Sequence, residues 1–144
     1  MSSNLTSALE QLPHGPSFRF VDELTALDPG REASGIYQIR GSEDFLTGHF
    51  PGQPMMPGVL LIEAIAQLGG VVTQTDPAIA PLRDLRLTAV RAAKILGAAV
   101  PGETLEIHAK VEGRMGGLVQ VDGSVIVAGK TLASARITLS GEPV

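Results

Sequence analysis

Residues 57–74 read Pro-Gly-Val-Leu-Leu-Ile-Glu-Ala-Ile-Ala-Gln-Leu-Gly-Gly-Val-Val-Thr-Gln. Pro57 stands where the first residue of a helix is expected, because its fixed φ is helical and its missing N–H would have no partner there. A helix over about 57–74 follows. A helix on one face of a sheet should be amphipathic, and this one is not. Val59, Leu60, Leu61, Ile62, Ala64, Ile65, Ala66 and Leu68 point in nearly every direction. Such a helix is expected to be buried all round, which a small sheet achieves only by wrapping it. One sheet still leaves a side open, so self-association is expected as well.

The flanking sequence supplies the sheet. A short helix over about 3–11 is capped by Ser3 or Asn4, places Leu5, Ala8 and Leu12 on one side, and stops at Pro13. Phe18–Leu27 and Arg31–Arg40 read as a hairpin around the Asp28-Pro29-Gly30 turn. Residues 41–58 hold four Gly and three Pro and read as an ordered loop. Leu85, Leu87 and Ala89 start a strand that continues irregularly toward Ala99. Thr104–Gly113 alternates cleanly, with Leu105, Ile107, Ala109 and Val111 on one face and Glu106, His108, Lys110 and Glu112 on the other. Val119–Val127 and Thr131–Leu139 complete the set, with Gly129-Lys130 preferred to Asp122-Gly123 as their turn. The outline is α+β, in one domain over residues 1–144.

Composition narrows the chemistry. The 144 residues carry 11 Lys and Arg against 15 Asp and Glu, a net charge of −4. A nucleic-acid binder would usually be basic, and aromatic residues for base stacking make up only 3%. The chain has no cysteine, which excludes disulfides, thiolate metal sites and cysteine nucleophiles. The opening residues lack a signal-peptide pattern, and the apolar run at Val59–Val72 is short and interrupted by Glu63 and Gln67. A cytoplasmic protein without membrane contact is expected.

Two polar residues break the apolar helix. Glu63 and Gln67 are four apart and share a face. A buried carboxylate is costly unless paired, and burial favours its protonated form. It serves either as a structural group or as an acid. The free N–H groups of Gly58 and Val59 sit at the positive end of the helix dipole, where a developing oxyanion can be held. Of the three histidines, His108 is read as solvated and His14, in a Pro-His-Gly turn, as a structural hydrogen-bonder. His49 precedes Phe50-Pro51-Gly52 in a proline-stiffened segment, and a base–acid pair with Glu63 is the reading its context favours. Two such ligands alone make a poor metal site.

The stretch Gly48-His49-Phe50-Pro51-Gly52-Gln53-Pro54-Met55-Met56-Pro57-Gly58-Val59-Leu60-Leu61-Ile62-Glu63-Ala64-Ile65-Ala66-Gln67 resembles the signature of bacterial 3-hydroxyacyl-acyl carrier protein dehydratases of the FabZ type. Leu12-Pro13-His14, Phe18 and Val21-Asp22 resemble that family's N-terminal motif, and Val100-Pro101-Gly102-Glu103 its Val-Pro-Gly-Asp turn. Val121, Gly123, Val125 and Gly129 fit its last strands, so Asp122-Gly123 is read as strand. The chain departs from the family at Gly15-Pro16, at Lys94–Ala99 and at Val119, which replaces a common Trp.

The resemblance implies a hotdog fold, a long central helix wrapped by a curved antiparallel sheet that continues across a dimer. It implies homodimers, often arranged as trimers of dimers, with each site shared between two chains. His49 of one chain would be the base and Glu63 of the other the acid. The related FabA type has Asp at the acid position and also isomerises, so Glu63 points to simple dehydration. Gly58, Val59 and Gln67 would contact substrate, and no metal or cofactor is implied beyond the phosphopantetheine arm of acyl carrier protein. Arg83, Arg86, Arg91 and Lys94 are candidates for docking that acidic carrier. A hotdog thioesterase, a coenzyme A-dependent enoyl hydratase and a non-catalytic carrier-binding subunit are the rival readings.

Overall fold

The computed structural model describes residues 2–10, 12–48 and 52–144. In chain order these form α1 (Ser2–Leu9), β1 (Glu23–Asp28), β2 (Glu32–Gln38), α2 (Gly58–Gln74), β3 (Arg83–Ile95), β4 (Thr104–Met115), β5 (Leu118–Val127) and β6 (Lys130–Glu142). The strands make one antiparallel sheet in the order β1-β2-β4-β5-β6-β3. The sheet curves around α2, so the helix is the core's axis and the strands its shell. This is the hotdog arrangement that the resemblance implies.

The alternation in β4 sets the register of the shell. Leu105, Ile107 and Ala109 are buried against α2, while Glu106 and Lys110 face out. β5 runs unbroken through Asp122-Gly123, and the chain turns at Ala128-Gly129, where both residues have positive φ. On α2 the inward residues Leu61, Ala64, Ile65, Leu68, Val71 and Val72 are fully buried. Burying each larger aliphatic side chain contributes about 1.5–3 kcal/mol.

Helix and sheet approach most closely at a glycine. A Cβ on Gly123 would overlap the Ile65 side chain and the His108 carbonyl, and one on Gly69 would lie 3.0 Å from Val121. Gly123→Ala is therefore expected to destabilise the fold by about 1–3 kcal/mol. Thermal unfolding followed by circular dichroism checks this, and an unchanged Tm would contradict the packing described. The β1–β2 turn closes the other end of α2. Gly30, at φ 79°, donates its N–H to the Val72 carbonyl at 3.0 Å. Arg114 adds a cation there, 3.6 Å from Asp76 and 3.4 Å from the Thr73 carbonyl, where the helix dipole favours positive charge.

Three expectations are corrected. Phe18–Leu27 is not one strand: Pro16–Phe18 forms a 3-10 turn and the strand starts only at Glu23. Pro57 is the residue before the helix, at ψ 133°, and Gly58 is its first residue. In the single chain α2 is not buried all round, since Val59 is 70% exposed and Leu60 and Glu63 are half-buried. The open side expected of a lone sheet is this face. No helix among the described residues is long and apolar enough to cross a membrane.

Candidate active site

Glu63 and Gln67 meet on the half-open face of α2, one turn apart. Gln67 is almost completely buried, and every polar atom of its amide is used. Its Oε1 accepts the Phe20 N–H at 2.8 Å. Its Nε2 donates to the Phe18 carbonyl at 2.8 Å and to Glu63 Oε2 at 3.0 Å. The backbone N–H of Phe20 fixes which end of the amide is oxygen, so the group facing Glu63 is a donor. Gln67 thus replaces a strand partner for residues 18–20 and orients the carboxyl in the same step.

His14 reaches the same oxygen. Its Nε2 lies 3.3 Å from Glu63 Oε2, and both side chains stay partly open, at 30% and 21% exposure. His14, expected as a structural hydrogen-bonder in its turn, has Glu63 of α2 as its neighbour. The Leu12–Phe18 segment is folded onto α2 by Arg19, whose Nε donates to the His14 carbonyl at 3.0 Å and whose Nη2 donates to the Leu12 carbonyl at 3.2 Å. Sequence reasoning could not pair residues 14 and 63, because no periodicity links a turn to a helix 49 positions on.

Glu63, Gln67 and His14 open onto a cavity of about 730 Å³. Phe18, Ala66, Leu82, Leu85, Leu87 and Leu139 make most of its apolar wall, and Asp84 and Arg86 also border it. The arrangement is a carboxyl aimed into a space large enough for an acyl chain. His49 lies outside the described residues. The loop leading to it is anchored by Glu43, whose carboxylate accepts hydrogen bonds from Arg40 N, Gly41 N and Tyr37 Oη. Partial burial disfavours that charge, but these donors outweigh it and hold the carboxyl below its ordinary range. Burial and the Glu43 charge push the Tyr37 phenol up.

At the start of α2 the Leu60 N–H turns back to the Pro57 carbonyl at 2.9 Å. The Gly58 and Val59 N–H groups make no hydrogen bond among the described residues. Gly58 is pressed against Ile95 of β3, and a Cβ there would lie 2.7 Å from Ile95 Cδ1. His108 is half-buried on the outer face of the sheet, and its Nδ1 is 2.8 Å from Ser34 Oγ.

A family model described as a FabA-like domain matches residues 12–136. The chain belongs to that family. Among curated FabA-like relatives, the 3-hydroxyacyl-acyl-carrier-protein dehydratase FabZ of Rickettsia bellii (strain RML369-C) is 30% identical over 138 residues, spanning 96% of this chain and 95% of the relative. The family expected from residues 48–67 is the one found, and the chain is a dehydratase, a hydro-lyase. Two solved structures share the fold. The dehydratase heterocomplex ApeI:P from Xenorhabdus doucetiae aligns with a TM-score of 0.78 at 18% identity, over 95% of this chain and 90% of that one. Zebra fish thioesterase superfamily member 2 aligns with a TM-score of 0.68 at 16% identity, over 92% and 90%.

Proposed function

We propose that this FabA-like chain, acting as one catalytic domain, removes water from (3R)-hydroxyacyl thioesters carried on the phosphopantetheine arm of acyl carrier protein. The products are the trans-2-enoyl thioester and water, and the step is reversible. The observation that carries this reading is a carboxyl, Glu63, fixed by Gln67 at the wall of an apolar cavity. A thioesterase shares the fold, and the Glu63–Gln67 pair within a FabZ-like stretch favours dehydration over thioester hydrolysis.

In this reading His49 removes the C2 proton of the substrate. The thioester carbonyl is polarised by the N–H groups of Gly58 and Val59 at the positive end of the helix, which lowers the cost of enolate character. Glu63 gives its proton to the hydroxyl leaving C3, so that it departs as water. One C–H and one C–O bond break and one C=C bond forms. No electrons are transferred to another molecule, and proton transfer by His49 and Glu63 requires no cofactor. The acyl chain lies along Leu82, Leu85 and Leu139, beside α2.

The same reading makes the site a dimer's. The exposed apolar residues Val59, Val90, Ile95 and Leu96 lie along the start of α2 and the edge strand β3. Pairing β3 with its copy would cover them and continue the sheet, with His49 of one chain facing Glu63 of the other; trimers of such dimers are the larger form. Arg83, Arg86, Arg91 and Lys94 all lie on β3, with Arg86 bordering the cavity, and would meet the acidic carrier. A cytoplasmic location belongs to this reading.

Subunit mixing tests the shared site. His49→Ala and Glu63→Gln chains should each be inactive. When unfolded together and refolded at equal amounts, they should recover about a quarter of wild-type turnover, because half the dimers are mixed and each mixed dimer rebuilds one of its two sites. No recovery would place both residues in one chain's site and overturn the dimer assignment.

A further inference from the structure

We propose that His14 is a positioning residue for Glu63: it donates its Nε2–H to Glu63 Oε2 and, with Gln67, commits the acid proton to Oε1, the oxygen that faces substrate. The inference rests on the dehydratase reading and assigns a second histidine, of the chain that supplies the acid, to the same step.

The contacts converge on one oxygen. Glu63 Oε2 has the Gln67 amide at 3.0 Å and His14 Nε2 at 3.3 Å. An oxygen that accepts from two donors is the poorer place for a proton, so the proton that the carboxyl donates is carried on its other oxygen. General-acid catalysis needs the proton on the oxygen nearest the leaving group. The His14 contact is long for a hydrogen bond, and such contacts tighten when substrate binds.

The second observation identifies the donor. Nδ1 of His14 is buried and has no hydrogen-bond partner among the described residues. With the ring neutral and Nε2 protonated, Nδ1 leaves only a lone pair unmet. With the ring doubly protonated, or protonated on Nδ1 alone, a buried N–H would be left without an acceptor, which is the costlier arrangement. The geometry therefore selects the form in which Nε2–H points at Glu63.

The third observation is that the ring is held from several sides. Arg19 binds the carbonyl of His14, and the ring stacks on Phe18 with centroids 6.0 Å apart at 23°. Phe18 is in turn tied to Gln67 through its carbonyl. His14, Phe18 and Gln67 make one rigid support around the carboxyl. A purely structural histidine would need the stacking but not the donor, and this separates the two roles.

The test compares His14→Phe, which keeps a stacking ring and loses the donor, with His14→Gln, which keeps an N–H donor and loses the ring. Hydration of a trans-2-enoyl-acyl carrier protein is followed by the loss of enoyl-thioester absorbance. His14→Phe should lower kcat about 10–100-fold with KM within about threefold, as expected for the loss of one hydrogen bond to the carboxylate that forms as Glu63 gives up its proton. His14→Gln should stay within about threefold of wild type. In a Glu63→Gln background His14→Phe should cost nothing further, since the two act as a unit.

A fully active His14→Phe, or a His14→Gln as impaired as His14→Phe, overturns the inference and leaves the dehydratase reading standing. An inert wild type overturns that reading and the inference with it. Should His14→Phe not fold, ring-nitrogen NMR of the histidine-labelled wild type decides: the neutral His14 ring should carry its proton on Nε2, and a proton on Nδ1 would contradict the proposal.

Discussion

Glu63→Gln is expected to lower kcat for enoyl-thioester hydration about a thousandfold, the middle of the range for loss of a general acid or base. The amide has the shape of the carboxyl, and its oxygen can still accept from the Gln67 amide and face His14 Nε2. What it cannot do is give up a proton to a departing hydroxyl or take one back from water. Because those contacts survive, Tm should move by no more than a few degrees. Steady-state kinetics beside a melting curve separate the two effects. A variant with full turnover would remove Glu63 from the chemistry, whereas an unfolded one would mean that the carboxylate is chiefly structural.

Gln67→Leu should produce the largest loss of stability. Leu fills a similar volume, but the buried Phe20 N–H and the partly buried Phe18 carbonyl lose their partner, and Glu63 loses its nearest donor. A buried polar group left without a partner costs about 1–3 kcal/mol, so the two backbone groups together predict a loss of about 2–6 kcal/mol. For a chain of this length that is a fall in Tm of roughly 6–18 °C. Activity should fall too, because the carboxyl and the segment carrying His14 are no longer held together. Denaturant titration gives the stability directly, and a variant as stable as wild type would show that residues 18–20 find other partners.

The parts of this molecule that repeat were legible in the sequence. The apolar residues all round α2 and the two-residue alternation of β4 each follow from the geometry of the element. Those two elements imply a wrapped helix. Segment 18–22 shows what periodicity misses. Phe18, Phe20 and Val21 have the composition of a strand, yet Pro16 starts a 3-10 turn, and at the Phe18 carbonyl and the Phe20 N–H the hydrogen bonds a neighbouring strand would supply come from one side chain, Gln67. The close approach at Gly123 was invisible for a related reason. A glycine inside a strand shows no preference until the Ile65 side chain opposite it is known.

The site was legible in part. Glu63 stood out because a carboxylate in an apolar helix needs an explanation, and Gln67 because it shares that face. His14 did not stand out, since its role comes from the folding of the N-terminal segment over α2 through Arg19. His49 was chosen for the stiffness of its surroundings and for the resemblance of residues 48–67 to a known signature. It lies outside the described residues, and its role stays a proposal resting on that pattern.

The central claim is dehydration chemistry on a carrier-bound thioester, and one recording tests it. The purified wild-type chain is given trans-2-enoyl-acyl carrier protein while enoyl absorbance and free thiol are followed together. The account predicts a loss of absorbance to a hydration equilibrium with no thiol released. Thiol appearing in step with substrate loss, or an unchanged absorbance with the carrier protein bound, would contradict it.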